Sequence, residues 1–250
     1  MLAPDLDGRT ALVTGSARGL GRDLVLALAA CGARVAVHYR TSADAAADTA
    51  DDARDAGAPA ATTVQGDVTD PGSVDALVDA ATDDLGRLDV LVNNVGDFAP
   101  THWADLAFED WKRVVETNLY GTYLCTRRAL PDIRSRAAES GYGRVVNVGY
   151  AGSDRAMASA KNFPYFAAKT GVAMFTRTVA ADTQDDDVTV NEVAPYVVET
   201  SDAFPDDLPR GRPARTEEVA HAMLFFLHPD SGYVSGERID VDGGWLPESV

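Results

Sequence analysis

At 250 residues, with 46% hydrophobic and 24% charged residues, the chain can bury a substantial core and leaves no compositional case for disorder or a low-complexity scaffold. A formal net charge of −17 argues against nucleic acid or an anionic membrane as partner, because an acidic surface repels phosphate. No apolar run approaches the roughly 20 residues of a membrane span, and the start MLAPDLDGRT lacks the basic flank and apolar stretch of a secretory signal, so a cytoplasmic protein is expected. Cys31 and Cys125 lie far apart without CxxC or metal-ligand spacing; they read as two buried thiols, and no metal site is expected.

Along the chain, short β-branched runs alternate with longer helical patterns, the signature of βαβ units and a parallel sheet. Strands are predicted at 10–14, 34–38, 62–65, 88–92, 144–148, 188–193 and 238–241. Helices fill the intervals at about 19–31, 42–56, 71–84, 108–138, 163–183 and 216–227. The expected fold class is α/β, one domain over 1–250 with a seven-stranded parallel sheet flanked by helices on both faces. Residues 196–215, rich in Pro, Asp and Gly, would emerge beyond a strand's carboxyl end, where ligands sit in such sheets, and are the candidate lid.

The first strand runs into Thr14-Gly15-Ser16-Ala17-Arg18-Gly19-Leu20-Gly21 and then an apolar helix. Glycines let a backbone turn tightly against a pyrophosphate, and a helix N-terminus offers free N–H groups, so Gly15, Ser16, Arg18, Gly19, Leu20 and Gly21 are candidate dinucleotide contacts. An NAD site usually carries Asp or Glu at the end of the second strand; here the sequence reads Tyr39-Arg40-Thr41-Ser42. Arg18 and Arg40 can grip a 2′-phosphate through bidentate hydrogen bonds, with Tyr39 and Ser42 beside it, which favours NADP(H) over NAD(H).

Asp67-Val68 follows the third strand, Asn93-Asn94-Val95-Gly96 the fourth, and Tyr165 and Lys169 open a late helix. Residues four apart share a helix face, and an ammonium beside a phenol stabilises the phenolate and draws its pKa towards neutrality. The chain carries 19 arginines and only three lysines, so a lysine at 169 is a marked choice of a compact, proton-exchanging cation.

The TGxxxGxG turn, these three segments and the stretch VSGERIDVDGGW together resemble the classical short-chain dehydrogenases/reductases over essentially the whole chain. The resemblance implies a single-domain Rossmann fold that transfers hydride between NADP(H) and a small carbonyl or alcohol. It implies Tyr165 as proton donor, Lys169 on the nicotinamide ribose, and Asn118, in Glu116-Thr117-Asn118-Leu119, holding a helix kink and a relay water. It sets Asp67 and Val68 by the adenine, Asn94 and Gly96 towards the nicotinamide, and Pro195, Val198 and Thr200 near the carboxamide. A homo-oligomer, tetramer or dimer, is the family habit.

Two positions depart from the family pattern. Tyr150 stands where a serine normally holds the reacting carbonyl, with Ser153 three residues on, and either hydroxyl could serve. Tyr196 follows Pro195 in place of the usual glycine, so Phe98, Tyr150 and Tyr196 would edge a flat, aromatic-tolerant pocket. The nearest resemblance is to 3-oxoacyl-[acyl-carrier-protein] reductase-like members. The alternatives are a pteridine-reductase-like enzyme, from His38 to Ser42 and Asn93 to Phe98, and a non-catalytic NADP(H)-binding sensor or assembly partner.

Of 39 acidic residues 30 are Asp, a poor helix former that nonetheless punctuates the helical stretch 42–56. This composition resembles that of proteins from salt-in halophiles, where molar salt screens a self-repelling surface. The melting midpoint should therefore rise between dilute buffer and molar KCl; identical melts in both would contradict this.

Overall fold

The short β-branched runs of the sequence assemble into one sheet, as seen in a computed structural model that describes residues 3–153 and 159–245. The strands are β1 (Thr10–Val13), β2 (Arg34–Tyr39), β3 (Ala61–Gln65), β4 (Val90–Asn93), β5 (Gly143–Val148), β6 (Val188–Pro195) and β7 (Arg238–Val241). They pair in parallel throughout, in the order β3-β2-β1-β4-β5-β6-β7. Every residue of β1, β4, β5 and β6 is buried, as a parallel sheet covered on both faces requires, and the edge strands β3 and β7 are partly exposed.

The helices are α1 (Gly19–Ala30), α2 (Ala43–Ala56), α3 (Pro71–Leu85), α4 (Phe108–Val115), α5 (Gly121–Ser140), α6 (Phe163–Asp182) and α7 (Thr216–Leu227). Strand alternation divides the core in two. Ala11, Val13, Val35 and Val37 face α1, α2 and α7, while Leu12, Ala36, Leu91 and Val145 face α3, α5 and the end of α6. Each fully buried leucine, such as Leu28 on one side or Leu77 on the other, contributes roughly 1.5–3 kcal/mol. The Asp-rich helix α2 resolves its compositional puzzle by direction. Ala46, Ala50 and Ala53 share the buried face, and Asp44, Asp48, Asp51 and Asp55 point to solvent.

The helix expected over 108–138 is instead two helices joined by a π turn at Glu116–Tyr120. The reason is local. The Asn118 side chain donates to the Val114 carbonyl at 2.8 Å, and the Thr122 hydroxyl donates to the Asn118 carbonyl at 2.8 Å, so side chains take up carbonyls where the wider turn departs from the α-helical ladder. Cys125 is buried as expected, but Cys31 is only half-buried at the end of α1. Among the described residues no helix is long and apolar enough to cross a membrane, and no cluster could hold a metal ion.

Candidate active site

Between β1 and β4 the strand order reverses, and the crevice beyond their carboxyl ends is where open parallel sheets bind ligands. There β1 turns through Gly15 onto α1. Gly15 has φ 64°, and a Cβ on it would lie 2.8 Å from Val95 Cγ2; a Cβ on Gly21 would lie 2.3 Å from the Gly15 carbonyl oxygen. No side chain caps α1 and no acidic residue stands in its first turn, so its N–H groups and dipole end stay open to an anion. Leu20 packs on the core beneath, and Thr200 lies 3.9 Å from where a Gly19 Cβ would stand, over the turn. The Asn94 amide braces the turn from β4, donating to the Thr14 and Gly15 carbonyls at 3.0 Å each. Ser16 departs from its expected role as a contact. It is buried, and its hydroxyl is taken up in donating to the Val13 carbonyl (2.7 Å) and accepting the His38 N–H (3.0 Å).

A cavity of about 360 Å³ opens beside the turn, bordered by Arg18, Tyr39, Arg40, Ser42, Asp67, Val68 and Gly96. That volume is within the roughly 300–1,000 Å³ usual for small-molecule sites. Arg18 and Arg40 are both exposed, with Arg40 3.7 Å from Asp67 Oδ2. Burial pushes the Asp67 carboxyl up, but hydrogen bonds from the Thr69 N–H and hydroxyl, with the charge of Arg40, more than reverse this and hold it below its ordinary value. His38 floors the cavity: its Nδ1 accepts the Gly15 N–H at 2.8 Å and its Nε2 faces the Gly66 carbonyl at 3.1 Å, which fits the neutral ring that burial also favours.

The second centre lies where β5 ends. Lys169 is buried and donates from Nζ to the Val148 carbonyl at 2.7 Å; desolvation lowers its pKa to about 8 against the pull of the Glu192 carboxylate. Tyr165 sits one helical turn earlier, its ring centroid 5.8 Å from Nζ. The expected lowering of the phenol's pKa does not hold here, because burial first, and the Glu192 carboxylate second, push it above its ordinary range. From the kinked helix Asn118 donates to the Asp97 carbonyl at 2.6 Å, while its Oδ1 is buried without a hydrogen-bond partner. A Cβ on Gly96 would lie 3.2 Å from that Oδ1 and 3.7 Å from Lys169 Nζ, so this glycine borders both groups.

Tyr150 and Ser153 part company. The Ser153 hydroxyl accepts from Arg238 at 2.7 Å, while the Tyr150 ring packs edge-on to Tyr165 with centroids 5.4 Å apart. Burial, then Tyr196 and Tyr165, raise the Tyr150 phenol above its ordinary range. Phe166, Tyr196 and Trp245 complete an aromatic wall around Tyr150, with Tyr196 and Trp245 stacked at 4.0 Å. Phe98 is half-buried on the other side of the crevice, in the loop after β4. Pro195 accepts the Ala151 N–H at 3.0 Å, and Val198 is buried where Ala214 pairs with its neighbours, so 196–215 is zipped at its base and exposed over 202–207.

The model of the enoyl-(acyl carrier protein) reductase family matches residues 15–246. The chain belongs to this short-chain dehydrogenase/reductase family. It is 36% identical to a 3-oxoacyl-[acyl-carrier-protein] reductase of Synechocystis sp., over 96% of this chain and 98% of that one. It is 39% identical to a cis-4-hydroxycyclohexanecarboxylate dehydrogenase of Sinomonas cyclohexanicum, over 95% and 96%. A solved short-chain alcohol dehydrogenase from Sinorhizobium meliloti 1021 aligns with a TM-score of 0.87 at 30% identity, covering 98% of this chain and 99% of that one.

As a short-chain dehydrogenase/reductase the chain is an oxidoreductase of a family that typically uses a nicotinamide cofactor. The cradle fits one: an uncapped helix end, glycines that admit the backbone, and cations around a cavity. Sequence reading missed His38, Glu192, Arg238 and Trp245 as parts of the site. The only signal for Glu192 was a charge inside a strand otherwise fit for full burial; Arg238 and Trp245 are brought in by the fold alone, from the far edge strand and the segment after it.

Proposed function

We propose that the protein transfers hydride between NADP(H) and a small carbonyl or alcohol, with Tyr165 moving the proton. The observation that carries this reading is the buried Lys169 one helical turn from Tyr165, with Gly96 bordered by Lys169 and the kink residue Asn118, next to an anion-ready glycine turn. When bound, NADPH supplies the hydride. Arg18 and Arg40 would hold its 2′-phosphate, the N-terminus of α1 its pyrophosphate, and Lys169 its nicotinamide ribose. Tyr165, kept protonated by burial, gives its proton to the carbonyl oxygen as hydride reaches carbon, and the positive charge of Lys169 stabilises the phenolate left behind. Tyr150, the hydroxyl-bearing ring nearest Tyr165, faces the substrate in place of the usual serine.

Two substrate classes follow from the relatives, a 3-oxoacyl thioester and a cyclic secondary alcohol or its ketone. The aromatic wall of Tyr150, Tyr196 and Trp245 favours the cyclic compound, since a compact apolar ring covers those faces with less loss of conformational freedom than a flexible chain.

NADPH oxidation measured against cyclic ketones and 3-oxoacyl thioesters in molar salt should give turnover that Tyr165→Phe lowers by roughly 10²- to 10⁴-fold. No turnover with either class, or a Tyr165→Phe enzyme as fast as the parent, overturns the reading. Arg40→Asp should weaken NADPH binding and improve NADH use; an unchanged preference removes the 2′-phosphate assignment.

A further inference from the structure

Next to the Tyr150 turn lies a buried charged pair, Glu192 and Arg238, whose arginine touches none of the hydride-transfer groups. Glu192 is 1% exposed in β6, flanked in register by Asn147 of β5 and Arg238 of β7. A carboxylate so placed needs space and a cation. Gly149 supplies the space, because a Cβ there would lie 2.0 Å from Glu192 Oε1. Arg238 supplies the cation, with its Nη1 3.6 Å from Glu192 Oε1 and its side chain 9% exposed.

The rest of the guanidinium fork is directed at one short turn. Nε donates to Asp240 Oδ1 at 2.6 Å, which fixes the plane of the group along β7. Nη1 then donates to the Ser153 hydroxyl at 2.7 Å and Nη2 to the Tyr150 carbonyl at 3.0 Å. Both ends of the turn 150–153 are therefore gripped by the same rigid, planar group. The turn is tied further by the Ser153 N–H to the Tyr150 carbonyl (3.0 Å) and by the Thr170 hydroxyl of α6 to the Ser153 carbonyl (2.9 Å). The residue this turn presents upward is Tyr150, against Tyr165.

We propose that Arg238 is a positioning residue for Tyr150: anchored by Glu192 and Asp240, its guanidinium holds the 150–153 turn so that the Tyr150 ring stands against Tyr165 where substrate binds. The inference rests on the reading that Tyr150 faces the substrate. It explains why Ser153 does not replace the family serine, since its hydroxyl belongs to the clamp. It also gives the arginine of a charged pair inside the sheet a task beyond neutralising Glu192. A pair that served stability alone would have no reason to spend two donors on the Tyr150 turn.

The test is a double-mutant cycle of Tyr150→Phe and Arg238→Met, with Arg238→Lys alongside, reading kcat, KM and NADPH affinity by fluorescence quenching. A displaced ring costs the chemical step more than cofactor binding, so Arg238→Met should lower kcat/KM for the carbonyl roughly 10- to 100-fold with NADPH affinity held within about twofold. Arg238→Lys, which keeps the charge facing Glu192 but loses the fork, should recover part of the loss and guards against a Met variant that fails to fold. In the Tyr150→Phe background Arg238→Met should cost little more, because both act through the one Tyr150 hydroxyl. Fully additive losses overturn the proposal. A Tyr150→Phe enzyme equal to the parent overturns it through the reading on which it rests. A crystal structure of Arg238→Met needs no substrate: a moved Tyr150 ring supports the clamp, and a turn 150–153 superposing on the parent's refutes it whatever the activity.

Discussion

A buried ammonium organises this site. Holding Lys169 inside the protein lowers its pKa from 10.5 to about 8, a destabilisation on the order of 3 kcal/mol near neutral pH. The sign is that of a depressed cation. Below about pH 8 both folded and unfolded chains carry the proton and the cost is full; between about 8 and 10.5 the unfolded chain holds it more tightly, and the cost fades as pH rises. Several elements converge to make the burial tolerable. The Val148 carbonyl at the end of β5 accepts from Nζ, and Gly96 borders the ammonium without a side chain. Once the lysine is in place, α6 has its depth and rotation, and Tyr165 follows one turn earlier.

The same economy of space appears at each glycine that matters. Gly15 and Gly21 let α1 start against the turn, and Gly149 lets Glu192 enter the sheet. These positions are where backbone and carboxylate approach closer than a side chain would allow. The charge of −17 belongs to a different layer. It sits outward, as on α2, while among the described residues the buried Asp89, Arg144, Glu192 and Lys169 each face a protein partner.

Much of this was legible in the sequence, for physical reasons. The seven strands and the glycine turn follow from β-branched runs and from spacing, because those signals are local; spacing sets Tyr165 and Lys169 on one helix face, and only the family resemblance gave that pair a role. The kink at Asn118 was invisible to periodicity, since a π turn inserts one residue without altering composition. Ser153 and Tyr150 could not be told apart, because the Ser153 hydroxyl is bonded to Arg238, 85 residues away in sequence, a contact no local pattern announces. His38 likewise shows its part only when β2 is laid beside β1 and its ring meets the Gly15 N–H. Burial also reversed one local inference. The i, i+4 ammonium alone would lower the Tyr165 phenol, but desolvation outweighs it.

The account turns on Lys169 being a desolvated cation beneath Tyr165, and the composition makes that directly measurable. With only Lys112, Lys161 and Lys169 in the chain, lysine-selective carbon-13 labelling gives three side-chain signals, and Lys169→Arg assigns the one of interest. Titrated by NMR, the Lys169 signal should change with a midpoint near pH 8. A midpoint at or above the ordinary lysine value of 10.5 would contradict the buried-ammonium account.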